Sequence, residues 1–120
     1  MYDFDGFVQP DPKAAMDTAV AIMEEVCAEF EINVVGKAVR TFDGITSPPG
    51  FATCLLLDES HFSLHAYSDT GLLAADAFSC GDVNRSAKAA ERFKTRLMTT
   101  FPHIRLVKEL AVSRFGRVSP

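Results

Sequence analysis

Short apolar segments joined by turn residues fill the middle of the chain, and this succession constrains the fold more than any other feature. Four segments have the length and the β-branched, aromatic or aliphatic content of strands: Ile32 to Phe42, Phe51 to Leu57, Phe62 to Tyr67 and Leu72 to Ser79. Turn residues rich in Gly, Pro, Asp and Ser separate them. Gly36, inside the first segment, is a candidate position for a β-bulge. The region therefore predicts several strands joined by short connections.

A helical pattern flanks the strand region on each side. Before it, Asp11-Pro12 reads as an N-cap followed by proline at the first helical position, and apolar residues then recur at three and four residues as far as Phe30. After it, Asn84 or Ser86 can cap a second helix with one apolar face, which Pro102 stops. The chain thus predicts two amphipathic helices.

A first strand from Tyr2 to Val8 and a last strand from Ile104 to Val112 complete the pattern. Two helices and about five or six strands in this order predict an α+β fold, a two-layer sandwich of a mostly antiparallel sheet with two helices on one face. The other face then needs cover, and a second copy of the chain is the simplest cover. We expect the strand side chains that lack cover within one chain to include Leu55, Leu57, Phe62 or Leu64.

Length and charge exclude several classes of protein. The chain is long enough for one domain, which we assign to residues 1–120, and its net charge of −4 lacks the basic character of nucleic-acid-binding proteins. No apolar run approaches the roughly 18 residues that cross a bilayer. The acidic N-terminus lacks the basic and apolar regions of a signal peptide, and three cysteines without metal-like spacing fit reduced thiols. We therefore expect a cytoplasmic protein without nucleic-acid or membrane partners and without a metal site.

A polar cluster interrupts the apolar segments. It comprises Glu59-Ser60-His61, then His65, then Cys80-Gly81. A carboxylate, a hydroxyl, two imidazoles and a thiol therefore lie between strand-like pieces of core, where polar groups without partners cost free energy. Taken singly, Ser60 is more simply a hydrogen-bonding residue at a strand end, and His65 a surface or satisfied core residue. Their combination predicts a functional site.

This combination resembles the self-processing site of the short prokaryotic S-adenosylmethionine decarboxylases. In that family a serine becomes a pyruvoyl group, a histidine five residues on assists processing, and a cysteine twenty residues on donates a proton. Ser60, His65 and Cys80 match both spacings. The resemblance implies the two-layer fold, a homodimer, and self-cleavage of an inactive precursor between Glu59 and Ser60.

The resemblance also assigns the chemistry. The Ser60 hydroxyl would attack the Glu59 carbonyl, and the ester formed would eliminate to leave a pyruvoyl group, a covalent cofactor derived from Ser60 itself that serves as an electron sink for decarboxylation. His65 would act as the base for the elimination, and Cys80 would return a proton to the substrate carbon. An unbroken strand would hold His65 about 16 Å from Ser60 on the opposite face. We therefore expect the chain to bend between these two residues.

Several positions depart from the family pattern in ways that bear on the substrate. Ala52 stands where the family usually has a serine that helps self-cleavage, and Thr53 beside it is a candidate substitute. Thr46 stands where an aromatic residue usually stacks on adenine. Asp69 replaces a glutamate that holds the ribose hydroxyls, and Tyr67 keeps an aromatic residue near it. We expect Tyr67 and Asp69 to bind the substrate.

Three functions fit these residues. The first is a pyruvoyl-dependent decarboxylase that converts S-adenosylmethionine to its decarboxylated form, the aminopropyl donor for polyamine and spermidine synthesis. The acidic surroundings suit any cationic substrate, so arginine or ornithine is the alternative. Ala52 favours a third interpretation, an uncleaved homologue that acts as a non-catalytic binding or regulatory subunit.

Overall fold

The computed structural model describes residues 1–58, 60–79 and 83–112. Six strands and two helices follow in the order β1, Tyr2–Asp5; α1, Pro12–Glu29; β2, Val34–Phe42; β3, Gly50–Leu57; β4, Ser60–Tyr67; β5, Leu72–Ser79; α2, Val83–Thr100; and β6, Arg105–Glu109. The strands form one sheet in the order β2-β3-β4-β5-β1-β6, and every neighbouring pair is antiparallel. The α+β prediction is confirmed, with β1 inserted between β5 and β6.

Both helices pack on one face of the sheet. The Asp11 side chain accepts a hydrogen bond from the backbone N–H of Ala14, so the predicted N-cap of α1 is confirmed. On the sheet, Thr53 of β3 contacts Met23 of α1, and the Phe62 ring of β4 meets Phe93 of α2 edge to face at 4.6 Å. The core lies between these two layers.

Alternation along the strands decides which side chains enter this core. Successive strand residues point to opposite faces, and the helix-covered face takes Leu55, Leu57, Phe62 and Leu64, which are at most 7% exposed. The prediction that these four residues lack cover within one chain is therefore wrong. Helices α1 and α2 cover them, and the uncovered residues are those that alternate with them along each strand.

The uncovered side of the sheet, which we call the open face, carries mixed side chains. On its three central strands these are Ala52, Cys54, Leu56, His61, Ser63, His65, Tyr67, Leu72, Ala74 and Asp76. Leu56 and Leu72 are 55% and 48% exposed, so the face exposes aliphatic as well as polar groups. The helix-covered face exposes Val39 of the edge strand β2, at 45%, but the side chains of its central strands are buried.

The bounds of three elements differ from the sequence prediction. Strand β1 ends at Asp5, although Phe7 beyond it is buried and its N–H donates to the Gly71 carbonyl. Helix α2 already begins at Val83, so neither Asn84 nor Ser86 caps it. The last strand is shorter than predicted, since it covers only Arg105–Glu109 and leaves the residues after it exposed.

The bulge predicted near Gly36 is confirmed, because the register between β2 and β3 shifts between Val34 and Gly36. No helix in the described ranges is long and apolar enough to cross a membrane. Among the same residues, no group of three or more His, Cys, Asp or Glu side chains could hold a metal ion.

Candidate active site

The turn between β3 and β4 holds the predicted cleavage position. Strand β3 ends at Leu57 and β4 begins at Ser60, so only two residues, Asp58 and Glu59, join them. Two-residue connections are the shortest that join antiparallel strands. Ser60 is half-buried and pairs with Ser79 of β5. Glu59 itself lies outside the described residues. The chain therefore reverses direction directly before the Ser60 amide.

His65 lies on the open face and is exposed. Strand β4 pairs one to one with β3 from Leu56↔His61 to Gly50↔Tyr67, and with β5 over its whole length, without a register shift. The bend predicted between Ser60 and His65 is therefore absent, and Ser60 points toward the helix side. At about 3.3 Å per residue, the two residues are about 16 Å apart along the strand. The structure does not bring them together.

The nearest imidazole to Ser60 in sequence belongs to His61. His61 is half-buried and shares the open face with His65. The two directly cross-strand neighbours of His65 are Ala52 on β3 and Ala74 on β5. Because both are alanines, the imidazole of His65 has no bulky neighbour on either side. The two alanines therefore leave space for the imidazole in the direction of the neighbouring strands.

Residue 52 is the position at which the resemblance would place a serine, but here it is an alanine and has no hydroxyl. Ala52 lies directly opposite His65, so a serine there would meet the imidazole. Thr53 points the other way, is 2% exposed, and its hydroxyl donates to the Met23 sulfur at 3.5 Å. Thr53 therefore cannot replace the missing hydroxyl, and the prediction that it might do so is wrong.

The three cysteines have different surroundings. Cys80, the predicted proton donor, lies outside the described residues. Cys27 is 1% exposed in the core, where burial, and secondarily Glu24, raises the pKa of its thiol. Cys54 lies half-buried on the open face opposite Ser63.

A row of aromatic side chains crosses the open face at the end of the sheet remote from Ser60. Phe42 of β2, Gly50 of β3 and Tyr67 of β4 are consecutive cross-strand partners. Strands lie about 4.8 Å apart, so the aromatic residues stand about 10 Å apart with no side chain between them. Gly50 has φ +151°, and a Cβ there would collide with the Ala66 carbonyl oxygen. The arrangement leaves a gap between two rings.

Two charged residues border this row. The Arg40 guanidinium lies over the Phe42 ring at 5.6 Å, which occupies one side of that ring. Asp69 lies in the turn after β4, where its Oδ1 accepts a hydrogen bond from the Thr70 N–H at 2.9 Å. Its other carboxylate oxygen makes no contact of this kind with the described residues. Tyr67 is 39% exposed, so both predicted substrate-binding residues are accessible near one end of the sheet.

Comparison with known proteins identifies relatives of this chain. An S-adenosylmethionine decarboxylase proenzyme of Archaeoglobus fulgidus is 36% identical over 73 residues, which cover 61% of this chain and 62% of that protein. The proenzyme of Symbiobacterium thermophilum is 36% identical over 76 residues, covering 63% of this chain and 54% of that protein. The chain therefore matches less than two thirds of either relative's length.

A solved structure and a family model extend the comparison. The crystal structure of the adenosylmethionine decarboxylase from Aquifex aeolicus has the same fold, with a TM-score of 0.62 and 17% identity, over 98% of this chain and 92% of that one. The model of the family described as S-adenosylmethionine decarboxylase matches residues 6–108, which is most of the chain. By this match, which includes the turn at Ser60 and the strands around it, the chain belongs to the S-adenosylmethionine decarboxylase family.

Proposed function

We propose that this chain is a self-processing, pyruvoyl-dependent decarboxylase that acts on S-adenosylmethionine. The observation that carries the proposal is the position of Ser60, which starts β4 directly after a two-residue reversal of the chain. Attack of the Ser60 hydroxyl on the preceding carbonyl requires the two groups to be held in one geometry, and so short a connection restricts the backbone around them. The family match supports the reaction type and the substrate.

Self-cleavage proceeds from groups that the chain supplies. The Ser60 Oγ attacks the Glu59 carbonyl carbon, a C–O bond forms, the C–N bond breaks, and the amide becomes an ester. A base then removes the Cα proton of residue 60, and the Glu59 carboxylate leaves. Hydrolysis of the resulting dehydroalanine releases ammonia and leaves a ketone on residue 60. Because this pyruvoyl group grows from Ser60, no separate cofactor pocket is needed.

The base must reach residue 60 from the open face. In the unbroken strand His65 is too distant, so we propose that the first residues of β4 leave the ladder and turn toward the open face during processing. Among the described residues, Ser60 has one cross-strand partner, Ser79. After the acyl shift the backbone nitrogen of residue 60 no longer joins Glu59, which is held only through the side-chain ester, so the start of β4 can turn more freely before the base acts. His61, which already lies on that face, is the second candidate base.

A pyruvoyl group on residue 60 would fit the structure, because residue 60 is half-buried at the start of β4. The group supplies an electron sink for the pair released when carbon dioxide leaves the substrate. His65 would hold the substrate amine side, and Cys80 would supply a proton to the substrate carbon. Tyr67 and Asp69 would bind the nucleoside, with Phe42 providing the second ring of the gap over Gly50. Tyr67 lies about 23 Å along β4 from residue 60, farther than one S-adenosylmethionine reaches, so these residues would serve a site shared between two copies of the chain.

The substrate is identified by offering the protein each of the candidate substrates and measuring the carbon dioxide released. We expect the self-cleaved protein to release labelled carbon dioxide from carboxyl-labelled S-adenosylmethionine. We expect no release from labelled arginine or ornithine. A denaturing gel of the same sample should show fragments 1–59 and 60–120 in place of the 13.1 kDa chain. Release from arginine or ornithine alone would reassign the substrate, and a single intact band would favour a non-catalytic homologue.

We also propose that two copies of the chain pair through their open faces. The face exposes Leu56 and Leu72 beside polar groups, a mixture typical of an interface. Sedimentation at micromolar concentration is expected to give about twice the mass of one chain. Leu72→Lys should shift the protein toward monomer, whereas Met98→Lys, on the exposed side of α2, should not. A wild-type monomer would contradict the pairing.

A further inference from the structure

The chain just before the predicted cleavage position is held by a side-chain contact from another strand. Asn33 Nδ2 donates to both carboxylate oxygens of Asp58, at 3.3 Å in each case. Asp58 is the first residue of the two-residue connection, so this contact fixes the end of β3 one residue before Glu59. Asn33 immediately precedes β2, 25 residues earlier in the chain. Neither residue belongs to the Ser60, His65 and Cys80 pattern.

The bulge in β2 creates this contact. With the bulge, Val34 lies opposite Leu57, which brings Asn33 level with Asp58. Without it, the one-to-one register from Gly36↔Leu56 would set Val34 opposite Asp58. An apolar side chain would then face the carboxylate. A bulge inserts one residue into one strand and can re-aim the side chains that follow, as is common beside active sites.

The contact restrains the backbone where self-cleavage needs it restrained. Attack by a hydroxyl on a neighbouring carbonyl requires the two groups to be held in a near-attack geometry. Leu57 is anchored in the core at 7% exposure, and Ser60 is anchored in the sheet, but Asp58 is exposed and would otherwise be held only by its neighbours. The Asn33 amide is the only side chain among the described residues that forms a hydrogen bond with Asp58.

We infer that Asn33 is a positioning residue for self-cleavage, acting through Asp58 on the bond between Glu59 and Ser60. This inference rests on the proposed function. The bond is charge-assisted but exposed, so its effect on the rate is modest and specific to the processing step. It makes no contribution to substrate binding, because the aromatic row lies at the opposite end of the strands.

The test follows the appearance of fragments 1–59 and 60–120 from freshly translated full-length chain, by denaturing gel and intact mass. Asn33→Ala and Asp58→Ala should each slow cleavage about 3- to 10-fold, in keeping with the loss of one solvent-exposed hydrogen bond. Asn33→Asp should slow it further, because it sets two carboxylates side by side. Lys13→Ala, which removes an equally exposed contact to Asp17 in α1, is the matched control and should cleave at the wild-type rate.

A swapped pair distinguishes a direct contact from general destabilisation. Asn33→Asp combined with Asp58→Asn rebuilds the hydrogen bond with donor and acceptor exchanged and should recover most of the lost rate. Single variants that cleave like wild type, or a swap that fails to recover the rate, would overturn the inference, as would rates that follow the thermal midpoint. A wild-type chain that never cleaves would instead refute the proposed function, and this inference with it, and is recognised in the wild-type sample alone.

Discussion

Ser60→Ala is expected to give a folded chain that stays intact and releases no carbon dioxide from S-adenosylmethionine. Alanine has no hydroxyl, so neither the ester nor the ketone on residue 60 can form. The fold should tolerate the change, because Ser60 is half-buried at the start of β4 and no described side-chain hydrogen bond depends on it. Intact mass before and after prolonged incubation, together with circular dichroism, measures both parts of this expectation.

Ser63→Ala is the matched control. Ser63 lies on the same strand, is also half-buried, and differs in pointing to the open face. The Ser63→Ala variant should cleave itself and decarboxylate the substrate, because the hydroxyl that it loses does not adjoin the Glu59 carbonyl. If Ser60→Ala keeps its decarboxylase activity as an uncleaved chain, the pyruvoyl mechanism is refuted, whatever the activity of the control.

Cys80→Ala is expected to self-cleave normally and then to turn over slowly. The electron pair left on the substrate carbon after decarboxylation needs a proton, and the loss of a general acid usually costs about 10²- to 10⁴-fold in rate. If the proton is delivered instead to the carbon of residue 60, an amine nitrogen stays on that residue and the ketone is lost. Progress curves should therefore flatten early, and mass spectrometry should find alanine at position 60.

Cys54→Ala controls for a different thiol, one that lies on the open face. Cys54 is half-buried there, in the row next to that of His65, so it is a real competitor for the role. We expect its replacement to leave turnover and working life unchanged. The opposite result, a loss in Cys54→Ala with full and sustained activity in Cys80→Ala, would transfer the proton-donor role to Cys54.

The fold could be predicted from the sequence wherever local patterns decide it. The Asp11-Pro12 cap, the turn after Tyr67 and the bulge near Gly36 each have a local cause. The start of α2 could not be predicted, because a helix can run past several residues that would cap it equally well. Which strand residues face the helices also remained open, because apolar runs on β3 do not show an alternation.

The sequence predicts which residues belong to the candidate site, but it does not predict how they are arranged in space. The spacing of Ser60, His65 and Cys80 singled them out by resemblance, whereas the placement of His65 across from Ala52 depends on the register of two strands. Thr53 illustrates the limit, since it is adjacent in sequence yet faces the opposite layer. The Asn33 contact depends on a bulge in a third strand, and no local pattern of Asn33 or Asp58 predicts it.

The insertion of β1 between β5 and β6 has a consequence for the cut protein. Cleavage before residue 60 would put β1, α1, β2 and β3 on one fragment, and β4, β5, α2 and β6 on the other. The sheet order then threads a strand of the first fragment between two strands of the second, while β3 and β4 pair across the cut. The two fragments would then stay together without a covalent bond between them, and unfolding of the cleaved protein would also be dissociation. The mature protein's stability would therefore rise with its concentration, as that of an obligate two-chain complex does, whereas the precursor's would not.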